Sequence, residues 1–166
     1  MSLNEVSLIP FYDLSRDEQL DILNWRNNEN VRKWMYNSQI ICEADHFQFI
    51  ASLKQVTDKE YFLLLSNGVK IGVVYFIGIN KEQQCAEFGL YANPAKKGVG
   101  HILIETICDY AFNKLDCKRL TAKVFENNIK AIALYQNQKF RSYKQDKIDM
   151  EHNIICMELT YENWKF

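Results

Sequence analysis

Proline occurs only twice and glycine six times in 166 residues, too sparse a supply for a flexible linker or a low-complexity arm. The chain is therefore expected to form a single domain over 1–166, long enough to bury a substantial core. Excess charge of either sign is missing too. Twenty Lys and Arg against 21 Asp and Glu leave a formal charge of −1, which gives no support to a nucleic-acid or polyanion surface. The five cysteines never fall as C-x-x-C, and His46, His101 and His152 are scattered, so no metal is expected. Four of the cysteines lie in apolar runs, where the residue acts as a small buried hydrophobe. No apolar run approaches the ~20 residues of a membrane span. The first residues also lack a hydrophobic signal core, so a cytoplasmic protein with free thiols and no membrane partner is expected.

What is present is an ordinary globular composition, 48% hydrophobic and 25% charged, with aromatics at 13% that suit a Phe- and Tyr-rich core and an aromatic-lined pocket. One stretch, EFGLYANPAKKGVGHILIETICDYAF over 87–112, organises the rest. Its opening alternates: Ala86, Phe88 and Leu90 fall on one face of a strand, and Glu87, Gly89 and Tyr91 on the other. Asn93-Pro94 ends the strand, because proline donates nothing to a ladder and restricts the residue before it. After the turn AKKGVG, Leu103, Ile107 and Ala111 recur every four residues with Ile104, Cys108 and Phe112 beside them, the pattern of an amphipathic helix.

A glycine turn at a helix N-terminus is a natural seat for phosphate, since unpaired N–H groups and the positive end of the helix dipole point out of it. Lys96 and Lys97 add charge, and Gly98 and Gly100 let the backbone approach a bulky anion. The turn continues Gly-His-Ile where a Walker loop needs Gly-Lys-Ser/Thr. It places Leu103 where a dinucleotide fingerprint needs its third glycine.

In chain order, 6–12 reads as a first strand, and Ser15 with Glu18 makes a capping box that opens a helix to about Asn27. The segment NWRNNENVRKWMYNS is either a helical corner anchored by tryptophans or part of a substrate pocket. A further helix is expected over 43–56, on Phe47, Ile50 and Leu53. Asn67-Gly68 between EYFLLLS and VKIGVVYFIGI marks a hairpin, and NKEQQ turns the chain into the strand at 85–91, completing an antiparallel meander. Beyond the long helix come a strand over 118–125, a helix over NNIKAIALYQNQ and an antiparallel pair at 140–145 and 154–160. Ile129, Ile132, Ala133 and Tyr135 form the expected apolar side of that last helix. The order implies an α/β fold with a mixed sheet.

The glycine turn resembles the Q/R-x-x-G-x-G/A pyrophosphate loop of the GNAT family of N-acetyltransferases, with Ala95 at the leading Gln/Arg position. A second motif of that family, N-x-x-x-A-x-x-L-Y-x-x-x-x-F, is matched by Asn127, Ala131, Leu134, Tyr135 and Phe140, with Lys139 where the family usually has glycine. The resemblance covers about 6–160. It implies a mostly antiparallel mixed sheet flanked by helices, whose fourth and fifth strands splay to form a slot for acetyl-CoA, the implied co-substrate. Within the family, the W-R-N at Trp25 and the EFGLY-NP-KGVG-IL wording are most similar to amino-sugar-nucleotide acetyltransferases of the pseudaminic-acid pathway. The acceptor that this resemblance implies is the 4-amino group of a UDP-linked 4-amino-4,6-dideoxy sugar. Ribosomal-protein N-terminal acetyltransferases share a W-R-N corner and are the alternative. A non-catalytic acyl-CoA-binding module is an alternative of another class.

The resemblance also implies roles. Tyr135 matches the general acid, against the alternative of a core tyrosine. Glu87 is the candidate base, acting through water; the alternative is a sheet-face carboxylate paired with a lysine. Gly89 is the expected place for a bulge that starts the splay. Cofactor contacts are implied for Leu90, Tyr91, Lys96, Lys97, Gly98, Val99, Gly100, His101, Asn127, Asn128 and Tyr135, and Asn127 or Asn128 can instead cap the helix that follows. Acceptor contacts are expected from Trp25, Arg26, Arg32, Lys33, Tyr36 and His46, the last also readable as a packing residue. Monomer and homodimer both stay open.

Overall fold

The computed structural model describes residues 5–166. Seven strands form one sheet in the order β1-β2-β3-β4-β5-β7-β6. They are β1 (Val6–Pro10), β2 (Glu60–Ser66), β3 (Val69–Asn80), β4 (Cys85–Ala92), β5 (Arg119–Phe125), β6 (Arg141–Lys147) and β7 (Asn153–Thr160). Every neighbouring pair is antiparallel except β4 with β5. The helices are α1 (Arg16–Asn27), α2 (Glu29–Arg32), α3 (Glu43–Ser52), α4 (Gly100–Asn113), α5 (Ile129–Asn137) and α6 (Tyr161–Lys165). Among the described residues no helix is long and apolar enough to cross a membrane.

Alternation along the strands splits the core in two. Leu63 and Val73 face Phe11, Leu14, Ile22, Ile50 and Leu53 from the N-terminal segments. Phe62, Leu64, Val74, Phe76, Ala86 and Phe88 face the opposite way, onto Leu103, Ile104, Ile107 and Ala111 of α4 and Tyr135 of α5. All four α4 residues are fully buried, and Leu103, Ile104 and Ile107 each contribute about 1.5–3 kcal/mol of transfer free energy, with less from the single methyl of Ala111. The long helix is thus the main support of the central strands.

Several local signals act as read. The Ser15 hydroxyl accepts from the Glu18 N–H while the Glu18 carboxylate accepts from the Ser15 N–H, so α1 starts on a complete capping box. Asn67 and Gly68 have φ of 53° and 79°, the two left-handed residues that a two-residue hairpin turn needs.

Two boundaries and one helix face differ from expectation. The first strand stops at Pro10, not at residue 12: Pro10 has no N–H to donate, and a short 3-10 helix over Phe11–Asp13 turns Phe11 into the core. The helix expected to reach residue 56 ends at Ser52, whose hydroxyl bonds the Phe49 carbonyl at 2.6 Å; a 3-10 turn over Leu53–Gln55 follows. On α5 the buried side is Ala131, Ile132, Leu134 and Tyr135, while Ile129 is 70% exposed and Ala133 also faces solvent. Residues 129 and 133 lie roughly half a turn from 131 and 135, so the packing of Ala131 and Tyr135 on the core turns them to solvent.

Candidate active site

Strands β4 and β5 are bonded over three residue pairs only, Cys85↔Arg119, Ala86↔Leu120 and Glu87↔Thr121. Beyond that point β4 follows β3 as far as Gly72↔Ala92, and β5 follows β7 as far as Phe125↔Ile154. The two strands therefore part, and the side of β4 that faced β5 is left open from Phe88 onward. No bulge starts the parting: the β3–β4 register runs unbroken past Gly89, and its one shift lies between Ile77 and Asn80. The absent side chain at Gly89 has another purpose. A Cβ there would lie 2.0 Å from Cζ and 2.1 Å from Oη of Tyr75, whose ring covers the glycine.

The basic turn sits at the end of β4. Asn93 fixes it: its N–H reaches the Ile71 carbonyl, its amide group donates to the Lys70 carbonyl at 3.1 Å, and its Oδ1 accepts from the Ala95 N–H at 3.0 Å. Gly98 adopts φ of 72°, which glycine tolerates and a side chain disfavours, and space around its missing Cβ is open. Lys96, Lys97 and His101 are exposed beside it. No side chain caps α4, whose N-cap position is Val99, so its first N–H groups are available to an anion. Gly100 has a packing reason as well, since a Cβ there would stand 3.2 Å from Leu134. The donor-rich turn and the open strand edge together suit a pyrophosphate followed by an extended amide chain.

Tyr135 is 7% exposed, with its ring against Phe88 edge-on at 5.2 Å. Burial raises the pKa of its phenol above the usual value, with Tyr75 a smaller contributor in the same direction. Glu87 stands at the last β4–β5 pair, with its Oε1 3.4 Å from Lys123 Nζ. Asn128 spends its side chain on capping α5, accepting from the Ala131 N–H at 3.3 Å, while Asn127 is exposed. Leu90 packs on the α4 side of the sheet and Tyr91 on the other.

The N-terminal corner covers that second face. Arg26 gives one guanidinium nitrogen to the Asn37 carbonyl at 2.6 Å, and Arg32 gives one to the Ser38 carbonyl at 3.1 Å. Each then has a buried nitrogen, Arg26 Nη1 and Arg32 Nε, without a hydrogen-bond partner. Burial lowers the pKa of Arg26, and the phenols of Tyr91, Tyr75 and Tyr61 act against that. Trp25 packs into the N-terminal core, whereas Trp34 packs on Phe125, Ile154 and Cys156. Lys33 lies 5.2 Å over the Trp34 ring, and Tyr36 is 53% exposed beside Phe125. His46 is buried at 6% exposure, and its Nε2 donates to the Gln19 carbonyl at 2.8 Å, a tie between α3 and α1.

Tyr61 and Tyr75 were not among the expected site residues, yet their stacked rings, 4.7 Å apart and 8° from parallel, form the floor beside Gly89. Only the pairing of Tyr75 with a glycine across the strands marks it, and that depends on register. A cavity of about 690 Å³ lies toward the opposite end of the sheet, near Glu60, Lys81, Gln84 and Lys114; Tyr61 borders it, and none of the expected site residues does.

A mixed seven-stranded sheet that opens between two parallel strands, beside a glycine turn and an uncapped helix, has the architecture of an acyl-CoA-dependent transferase. The chain belongs to the acetyltransferase (GNAT) family, whose model matches residues 19–140. Among particular relatives, acetyltransferase PseH of Campylobacter jejuni (strain 81-176) is 39% identical over 153 residues, covering 92% of this chain and 94% of that protein. The crystal structure of C. jejuni N-acetyltransferase PseH in complex with acetyl coenzyme A matches with a TM-score of 0.79 at 34% identity, over 95% of this chain and 99% of that one. A spermidine N-acetyltransferase of Vibrio cholerae, in complex with CoA and spermine, matches with a TM-score of 0.86 over 97% of this chain and 98% of its own. At 21% identity that likeness is one of fold.

Proposed function

We propose that this chain transfers the acetyl group of acetyl-CoA directly to the 4-amino group of a UDP-linked 4-amino-4,6-dideoxy sugar, the reaction that supplies an intermediate of pseudaminic-acid synthesis. The observation that carries the proposal is the parting of β4 from β5 after Glu87↔Thr121, with Tyr135 on one face of the sheet and the Arg26 corner on the other. The resemblance to PseH over nearly the whole chain supports the choice of acceptor. A cytoplasmic setting belongs to the same reading.

Acetyl-CoA supplies an activated thioester. The turn at Lys96, Lys97, Gly98, Val99, Gly100 and His101 holds its pyrophosphate, and the open edge of β4 pairs with its pantetheine amides. Successive N–H groups along a strand point to opposite sides, so one of Leu90 and Tyr91 directs its amide to the open edge and polarises the thioester oxygen. The acceptor nitrogen bonds to the thioester carbon as the carbon–sulfur bond breaks. Tyr135, kept protonated by its surroundings, gives its proton to the departing thiolate. Glu87 takes the amine's proton through water. Arg26 and Arg32, each with an unspent buried donor, face the diphosphate of the acceptor, because guanidinium groups suit phosphate oxygens.

The test is incubation with acetyl-CoA and a panel of UDP-amino-sugars, basic peptides and polyamines, following thiol release and the mass of each amine. Acetylation of a UDP-4-amino sugar above all others is expected. Faster turnover of a peptide would move the assignment to the N-terminal acetyltransferase reading, and no thiol release with any amine would leave a binding module.

A further inference from the structure

We infer that Tyr75 orients the acceptor: its hydroxyl oxygen takes a hydrogen bond from the incoming amine where β4 and β5 part, and Gly89 is glycine so that the ring can lie there. The inference rests on the reading of the chain as an N-acetyltransferase with its reaction at the β4–β5 gap.

The register pairs Tyr75 with Gly89 directly, and the ring leans across the strand onto the glycine. Its orientation is held from behind. Tyr61 stacks on it at 4.7 Å, and Tyr61 is itself held edge-on by Phe49 at 5.0 Å and tilted against Phe11 at 5.4 Å. An alanine Cβ at 89 would overlap Cζ and Oη, so this ring position and any side chain at 89 exclude each other. The hydroxyl thus rests over β4 two residues past Glu87, the last residue paired with β5, and one before Leu90. Among the described residues no group hydrogen-bonds it. The residue is half-buried.

The surrounding chemistry favours this oxygen as the acceptor for the amine. The attacking nitrogen must be neutral, with its lone pair toward the thioester carbon, and an acceptor for one N–H fixes that direction. Arg26 and Lys123 are donors only. Glu87 is engaged by Lys123. Tyr91 packs among the Arg26 corner instead of lying across the strand. Tyr135 lies on the α4 side of the sheet as the proton donor, which leaves Tyr75 as the neutral oxygen on the acceptor side of the gap. Burial, with help from Glu87 and against Arg26, raises its pKa, so it stays protonated and undergoes no covalent change. It also lies close enough to the candidate proton donor and to one expected acceptor contact to act on both, since Tyr135 and Tyr36 each feel its charge state.

The test is Tyr75→Phe, which keeps the stack and removes only the hydroxyl. The expected result is a fall of about 10–100-fold in kcat/KM for the acceptor, the size of one lost hydrogen bond in a closed site, with acetyl-CoA affinity by calorimetry and Tm unchanged. Gly89→Ala is expected to lose as much by displacing the ring, and to cost nothing further when added to Tyr75→Ala. Acceptor kcat/KM within about twofold of the parent for Tyr75→Phe would overturn the inference. So would an equal loss of acetyl-CoA affinity, which would make Tyr75 a packing residue. The kinetics use whichever amine in the panel is acetylated: a peptide as best acceptor changes the acceptor proposed above but leaves Tyr75 to be judged by the same comparison. Acetylation of no amine removes both.

Discussion

Lys123 Nζ stands 3.4 Å from Glu87 Oε1, across the very pair at which β4 and β5 separate. Lys123 lies two residues beyond Thr121 on β5, hence on the same face, so a strand-alternation rule puts the cation beside the carboxylate. The pair is partly exposed, with 46% and 25% of the two side chains accessible, and such pairs are worth about 0–1 kcal/mol to stability. Its interest is therefore in catalysis. Glu87→Gln is expected to leave Tm within about one degree and to lower kcat by no more than about tenfold, since water replaces an indirect base in part. Lys123→Met should change kcat without changing acetyl-CoA affinity. Steady-state kinetics with calorimetry separate the two effects; a wild-type kcat in both variants would reduce the pair to a surface ion pair.

The two glycines of the basic turn are predicted to fail differently. Gly98 has the left-handed φ of 72° and open space at its Cβ, so Gly98→Val strains the turn that receives the pyrophosphate without touching the core. Acetyl-CoA affinity should drop by at least about tenfold with a modest fall in Tm, about 1–2 kcal/mol of stability. Gly100→Val meets Leu134 at the α4–α5 contact and should cost stability first. Undiminished acetyl-CoA affinity in folded Gly98→Val would remove the turn from the site.

Tyr135→Phe tests the proton donor. The ring against Phe88 stays, so folding and acetyl-CoA affinity should hold, while kcat falls by about 10²–10⁴-fold. The raised pKa gives a sign for pH: a phenol that must be protonated works below its pKa, so raising that pKa carries its activity further into alkali. No alkaline fall in kcat below about pH 10, the ordinary phenol value, should trace to Tyr135. A decline in the parent near pH 8.5 that vanishes in Tyr135→Phe would contradict this.

Lys139 has φ of 73°, an uncommon state for a residue with a side chain, where Lys139 N–H and Phe140 N–H bond back to the last carbonyls of α5. Glycine avoids the left-handed penalty of roughly 1–2 kcal/mol. Among the described residues, the Lys139 side chain bonds only the Asn163 carbonyl, at 3.4 Å. Lys139→Gly is thus expected to raise Tm by about 2–4 °C for a chain of this size, read by calorimetry. An unchanged or lower Tm would mean that the turn is less strained than its dihedral suggests.

Much of this was readable before any coordinates. The faces of β4, the Asn67-Gly68 hairpin, the Ser15–Glu18 box and the long apolar helix are local patterns, and local chemistry specifies them. The strand parting is legible only through family resemblance, and no bulge at Gly89 causes it, because the reason for that glycine lies on another strand. Tyr75 in VKIGVVYFIGI reads as core until register sets it against Gly89. Arg26 and Arg32 read as free charge for a phosphate. In the fold each gives one nitrogen to the loop carbonyls of Asn37 and Ser38, and only a loop conformation determines that. The buried face of α5 leaves out Ile129 and Ala133 because tertiary packing, with Tyr135 against Phe88, selects the face, and the density of apolar residues does not reveal it.

The divergence of β4 from β5 gives this sheet an interior rim of peptide groups without a strand partner, flanked on both sides by well-paired strands. Rims of that kind are what stray extended chains dock onto, and proteins usually blunt them with charge or cover. Under the proposed function the cover is a small molecule carrying amides of its own. Withdrawing the coenzyme is accordingly expected to promote aggregation, so that shelf life in solution should depend on how much coenzyme is left in the buffer.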